Sequence, residues 1–213
     1  RMSSQLDGPR NLPAGGVTPD SLIVLLHGYG ADGNDLIELA PHWRQLLPRA
    51  AFVAPHAPQR IPGMPFGYQW FSLAGYDPGQ LRRDPRQAAE IYRNMETGTI
   101  SAASGLDSFL DAELARYGLP AGRLALVGFS QGTMMALHVG LRRPVSPAAI
   151  VGFSGALVGG DRLKSEIACR PPVLLIHGDA DEVVPVTALF GALEGLAQAG
   201  VAVRSHIAPG LGH

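Results

Sequence analysis

Only one cysteine, Cys169, occurs among the 213 residues. An intrachain disulfide is therefore excluded, and a reducing compartment is compatible. As a nucleophile Cys169 is a weak candidate. It precedes Arg170-Pro171-Pro172 at a strand entrance, with no histidine beside it, and reads as a quiet structural thiol. Charge is scarce and balanced: 16 % of residues are charged and the net charge is −1. That leaves no electrostatic footprint for nucleic acid or an anionic membrane. No run approaches the ~20 apolar residues of a membrane span. The stretch Arg1 to Pro19 has no apolar signal core, so a soluble, cytoplasmic protein without stable membrane insertion is expected. Internal repeats, low-complexity tracts and linkers are missing. So are a Walker A loop and an H-E-x-x-H helix, and the histidines lack metal-ligand spacing. No metal and no cofactor are expected.

What the chain has in quantity is apolar residue, 46 % of the total, enough for one domain with a sizeable core. The reading is a domain over 21–213 preceded by an N-terminal extension over 1–20. Apolar runs at 22–26, 51–54, 124–127, 148–152, 173–176 and 201–207 read as strands, and most are continuously apolar, which suits parallel strands covered on both faces. The stretches 34–47, 85–117, 131–142 and 187–198 read as helices. Asp32 or Asn34 could cap the first, and Pro85 suits a first helical turn. Gly98 and Gly105 weigh against an unbroken second helix. Strand–helix alternation implies a three-layer α/β sandwich with right-handed crossovers, whose sites lie at the carboxyl ends of the strands.

The most informative segment is Gly128-Phe129-Ser130-Gln131-Gly132, set between the 124–127 strand and the 131–142 helix. A G-x-S-x-G in that setting is a nucleophile elbow. The turn is too tight for side chains at the flanking positions, and it lifts the serine hydroxyl clear of an α/β-hydrolase sheet. The bland alternative is a glycine-rich turn with an incidental serine. It is disfavoured because strand, glycines and helix are in register.

A serine hydroxyl needs a base within hydrogen-bond reach, and the base needs an orienting carboxylate. In this fold the chain order is serine, acid, histidine. Only His206 and His213 follow the acidic segment 177–185. His206 lies in an alternating strand pattern, whereas His213 follows Pro209-Gly210-Leu211-Gly212, a return that can fold over the sheet end. His213 is the preferred base. His138 sits ~12 Å along its helix from the serine, and His42 reads as a surface residue. For the acid, Asp179, Asp181 and Glu182 all follow a strand, and spacing does not separate Asp179 from Asp181. The oxyanion donors would be the backbone N–H groups of Gln131, at a helix N-terminus, and Tyr29, in the loop His27 to Gly33.

Gly28-x-Gly30-x-x-Gly33 also matches a dinucleotide fingerprint. That rival expects an acidic residue at the end of the next strand, and Ala54-Pro55-His56-Ala57-Pro58 supplies none. The irregular, proline-rich stretch Pro55 to Gln80 holds Met64, Phe66, Trp70 and Phe71. It reads as the apolar wall of a substrate cleft, matched evenly against a loop that merely covers the sheet.

Leu26-His27-Gly28-Tyr29-Gly30-Ala31-Asp32-Gly33, Ala54-Pro55-His56-Ala57-Pro58, Gln69-Trp70-Phe71, the elbow, and His177-Gly178-x-x-Asp181-x-x-Val184-Pro185 together resemble the phospholipase/carboxylesterase family. The resemblance runs from about Leu22 to His213. It implies Asp181 as the acid, Ser130 as nucleophile, His213 as base, and Tyr29 and Gln131 as oxyanion donors. His27 and His177 would be structural, and Gln69-Trp70-Phe71 would wall an acyl pocket. It further implies cofactor-free hydrolysis of small acyl esters or thioesters, lysophospholipids among them, and compatibility with a homodimer. The family usually continues past the histidine at which this sequence stops. A terminal His213 is expected to fray unless tied down.

Overall fold

A computed structural model describes residues 5–213 of the chain. Seven strands form one sheet: β1 (Arg10–Asn11), β2 (Ser21–Leu26), β3 (Ala50–Val53), β6 (Leu124–Phe129), β7 (Ala149–Phe153), β8 (Val173–Gly178) and β9 (Val203–Ala208). Their spatial order is β1-β3-β2-β6-β7-β8-β9, and only the β1–β3 pair is antiparallel. Strands β4 (Gln59–Arg60) and β5 (Tyr68–Gln69) make a separate small hairpin. The helices are α1 (Gly33–Ile37), α2 (Ala40–Trp43), α3 (Pro78–Arg83), α4 (Ala88–Asn94), α5 (Glu96–Arg116), α6 (Gln131–Gly140), α7 (Gly160–Glu166) and α8 (Thr187–Gln198). Among the described residues no helix is long and apolar enough to cross a membrane.

Successive strand residues point to opposite faces, and here that alternation builds two cores. Leu22, Val24, Leu26, Leu124 and Leu126 join Leu106, Phe109 and Leu110 of α5 and the apolar residues of α6 and α8. Ile23, Leu25, Phe52 and Val127 face the other way and pack against Leu36, Ile37 and Trp43 from α1 and α2. Burial on both faces explains why these strands read as unbroken apolar runs. The outer strand β9 is different, with Arg204 to Ile207 exposed.

Several elements depart from the sequence reading. The helix expected over 34–47 is two short ones. Asp32 caps the first in a capping box: its side chain accepts from the Asn34 and Asp35 amides, and Asp35 accepts from the Asp32 amide. Pro41 lies in the first turn of the second. The helix expected over 85–117 divides into a 3-10 turn (Pro85–Gln87), α4 and α5, with Met95 at the junction. Gly98 and Gly105 both lie inside α5. A Cβ at Gly98 would stand 2.5 Å from Phe71 Cβ, so the glycine is there to admit a side chain from another segment. Strands β1, β4 and β5 and helices α3 and α7 are too short to leave a periodic signal. Of the stretch set apart as an N-terminal extension, Arg10–Asn11 forms the edge strand against β3. Its Arg10 guanidinium bonds both carboxylate oxygens of the buried Glu113, at 3.1 and 2.6 Å.

Candidate active site

The carboxyl ends of β2, β6 and β8 converge on Ser130. This residue sits between β6 and α6 with φ 55° and ψ −115°, a backbone state that costs a non-glycine residue on the order of 1–3 kcal/mol. The surroundings enforce it. The Ser130 amide donates to the Phe153 carbonyl at 2.8 Å. A Cβ at Gly128 would lie 2.5 Å from the Gly132 backbone, and one at Gly132 would lie 1.9 Å from the Leu26 carbonyl oxygen. Both flanking glycines are thus required by contact.

His213 Nε2 lies 3.1 Å from Ser130 Oγ, and its Nδ1 lies 2.8 Å from Asp181 Oδ2. The return that carries His213 is tied at several points. Asp179 Oδ1 accepts from the Gly210 amide at 2.7 Å, and the Ala180 amide donates to the Leu211 carbonyl at 3.0 Å. The His213 amide donates to Glu182 at 3.4 Å, and its ring packs 5.0 Å from that of Phe129. These contacts tie His213 to the loop that carries the acidic candidates and to Phe129. They also give the three acidic candidates different roles. Asp181 faces the imidazole, Asp179 holds the return, and Glu182 holds the His213 backbone. His206 is exposed on β9, His42 is exposed, and His138 is buried in α6.

The Asp181 side chain is fully buried. Its Oδ1 accepts from the Val183 and Val184 amides at 2.9 and 2.8 Å, which satisfies the charge and leaves Oδ2 for His213. His177 Nε2 lies 2.7 Å from the Val184 carbonyl. A carbonyl only accepts, so that nitrogen carries the proton.

Tyr29 and Gln131 flank the serine. Gly28 runs close beneath it, with an added Cβ falling 3.2 Å from Ser130 Cβ. The Gly30 amide donates to the Tyr68 carbonyl at 2.9 Å, which pins the loop bearing the Tyr29 amide. The Gln131 amide belongs to the first turn of α6, where N–H groups have no partner within the helix. The Gln131 side chain, by contrast, is locked. Its oxygen accepts from the Trp70 amide at 2.7 Å and its nitrogen donates to the Phe71 carbonyl at 2.8 Å. Sequence reasoning missed this bridge because it joins residues 60 positions apart.

The four aromatic and sulfur residues assigned to substrate binding divide into two pairs. Trp70 and Phe71 are 1 % and 2 % exposed and belong to the main core, which corrects their assignment to a cleft wall. Trp70 Nε1 donates to the His27 carbonyl at 2.9 Å, and His27 Nε2 accepts from the Ala57 amide at 2.9 Å. Burial holds the His27 imidazole below the usual histidine range, matching that acceptor role. These residues build the floor of the Tyr29 loop. Met64 and Phe66 are exposed on the tip before Gly67, which abuts Gly30.

A cavity of about 660 Å³ opens between α4, α7 and α8, with Tyr92, Ala156, Leu157, Ala188 and Gly191 in its wall. Its partition from the serine turn is Gly155-Ala156: a Cβ at Gly155 would lie 3.0 Å from the Ser130 carbonyl oxygen.

A strained serine on a strand-to-helix turn, at the centre of a mostly parallel sheet with helices on both faces, defines an α/β-hydrolase. Comparison with known proteins narrows this. Residues 12–213 match the Phospholipase/Carboxylesterase family model. Acyl-protein thioesterase 1 of Schizosaccharomyces pombe is 31 % identical, over 79 % of this chain and 72 % of its own. The crystal structure of esterase PE8 superposes with a TM-score of 0.86 at 44 % identity, covering 98 % of this chain and 91 % of that one. Zea mays acyl-protein thioesterase 2 superposes with a TM-score of 0.67 at 27 % identity, covering 97 % and 91 %. The chain belongs to the phospholipase/carboxylesterase family, and is a hydrolase of the carboxylic-ester class.

Proposed function

We propose that the chain hydrolyses short- to medium-chain acyl esters through a Ser130–His213–Asp181 triad and an acyl-enzyme. The supporting observation is the continuous line of contacts from Ser130 Oγ through both ring nitrogens of His213 to Asp181 Oδ2. Ser130 Oγ attacks the acyl carbonyl carbon as His213 Nε2 takes its proton. The resulting oxyanion receives hydrogen bonds from the Tyr29 and Gln131 amides; losing one such donor costs about 3–4 kcal/mol of transition-state stabilisation. Collapse expels the alcohol, which takes the proton from His213. Water then attacks the acyl-serine, giving up a proton to the same nitrogen, and the carboxylic acid leaves with Ser130 restored. Asp181 holds the imidazole tautomer and stabilises the imidazolium.

A second reading, thioester hydrolysis, is favoured by the relatives named acyl-protein thioesterases. The test uses p-nitrophenyl and thioester series of increasing acyl length with a fluorophosphonate label. Ser130→Ala should abolish turnover and labelling while the thermal midpoint is kept, because no packed apolar group is lost. Turnover retained in that variant sinks the nucleophile assignment. A rate that rises toward long-chain lipid sinks the chain-length assignment.

A further inference from the structure

The acid loop is gripped from outside. Three successive carbonyls after Asp181 each accept from a side chain of a different segment. The Arg82 guanidinium of α3 donates to the Glu182 carbonyl. The Tyr76 hydroxyl, in the stretch before α3, donates to the Val183 carbonyl at 2.5 Å. His177 of β8 donates to the Val184 carbonyl at 2.7 Å.

The first two contacts matter because of peptide planarity. The Glu182 carbonyl and the Val183 N–H belong to one rigid amide, as do the Val183 carbonyl and the Val184 N–H. Those two N–H groups are the donors to Asp181 Oδ1. Each amide is therefore held at its oxygen by a side chain and delivers its hydrogen to the carboxylate. A donor at the oxygen fixes the plane of the amide and polarises its N–H toward the acceptor. Arg82 and Tyr76 thus set where the Asp181 carboxylate points, and with it the oxygen offered to His213.

We propose that Tyr76 and Arg82 are positioning residues that act on the reaction through the Val183 and Val184 amides and Asp181. The proposal rests on the triad reading above. Burial, and then the charge of Asp181, push the Tyr76 phenol up to about 12, so its donor proton is retained throughout an esterase assay. The charged and titratable groups facing Asp181 and His213 are His177 from β8, Glu182 at the His213 amide, Tyr76 and Arg82, and Tyr92 from α4.

Tyr76→Phe removes the hydroxyl and keeps the ring. Arg82→Ala removes an exposed side chain, so folding is not at stake in that variant. Both are assayed in the full chain with p-nitrophenyl butyrate, recording kcat, KM, the pH profile of kcat/KM and the thermal midpoint. A small misplacement of a catalytic group costs up to about a hundredfold. The expected result is a fall in kcat of roughly tenfold for each variant, with KM unchanged. The acid limb of kcat/KM should move to lower pH, because an imidazolium loses part of its oriented carboxylate. Arg82→Lys, which keeps a cationic donor, should restore kcat.

Wild-type kcat and pH profile in both variants would overturn the proposal. So would a fall in kcat that tracks the thermal midpoint while the pH profile stays fixed. Failure of the triad reading looks different: the wild-type chain itself would be inactive and unlabelled at Ser130.

Discussion

Replacing Gln131 by leucine nearly conserves volume and leaves the backbone N–H of residue 131 in place, yet strips two hydrogen bonds from the interior. The side chain is 1 % exposed, and its amide spans the Trp70 N–H and the Phe71 carbonyl at 2.7 and 2.8 Å. Leucine answers neither group. A buried polar group left unpaired costs about 1–3 kcal/mol, so the two together should cost about 2–6 kcal/mol. For a chain of this size that is a fall in thermal midpoint of roughly 5–20 °C, and a large share of the ~5–15 kcal/mol by which a domain is stable. Differential scanning calorimetry measures the midpoint, and a single-turnover burst with p-nitrophenyl butyrate at low temperature measures chemistry in the folded fraction. The burst rate should fall less than the stability, because the amide of residue 131 remains at the head of α6. A midpoint within about 2 °C of wild type would refute the reasoning, since it would mean that the bridge is replaced or contributes nothing.

Asp181→Asn should lower kcat by orders of magnitude through the wrong imidazole tautomer, whereas Asp179→Asn should cost only the order of the His213 return, seen as a smaller loss of rate; the reverse ranking in steady-state kinetics would reassign the acid. His138 supplies a pH signature. Burial, and then the Arg142 charge, hold it down to about 4, from an ordinary value near 6.5. The unfolded chain therefore binds a proton between those values while the folded chain does not, so stability is lost as pH falls from 6.5 toward 4. The linked contribution is on the order of 3 kcal/mol. Urea unfolding at about pH 7 and about pH 4.5 should show a shallower pH dependence in His138→Leu than in the wild type.

The central strands were legible because they are largely buried on both faces, which forces a continuous apolar run, whereas the outer strand β9 is exposed from Arg204 to Ile207. The elbow was legible for a similar reason: two backbone contacts permit nothing larger than glycine at 128 and 132. The loop from Pro55 to Gln80 was not. Its residues have no period, so nothing local says that Trp70 and Phe71 turn inward while Met64 and Phe66 stay outside. Gly98 misled in the same way. It lowers helix propensity locally, but the helix is kept because Phe71 packs into the space it leaves.

Local pattern determined the parallel α/β order, the serine turn, and the two histidines and three acids among which a relay could form. Spacing along the chain left Asp179 and Asp181 equal, since both leave the same strand. The difference between them is one of direction in space: Asp181 is turned to His213 by two amides, and those amides are oriented by Tyr76 and Arg82, about a hundred residues earlier in the chain. Contacts over such separations arise from packing of the whole sheet and its helices, and no segment carries them alone.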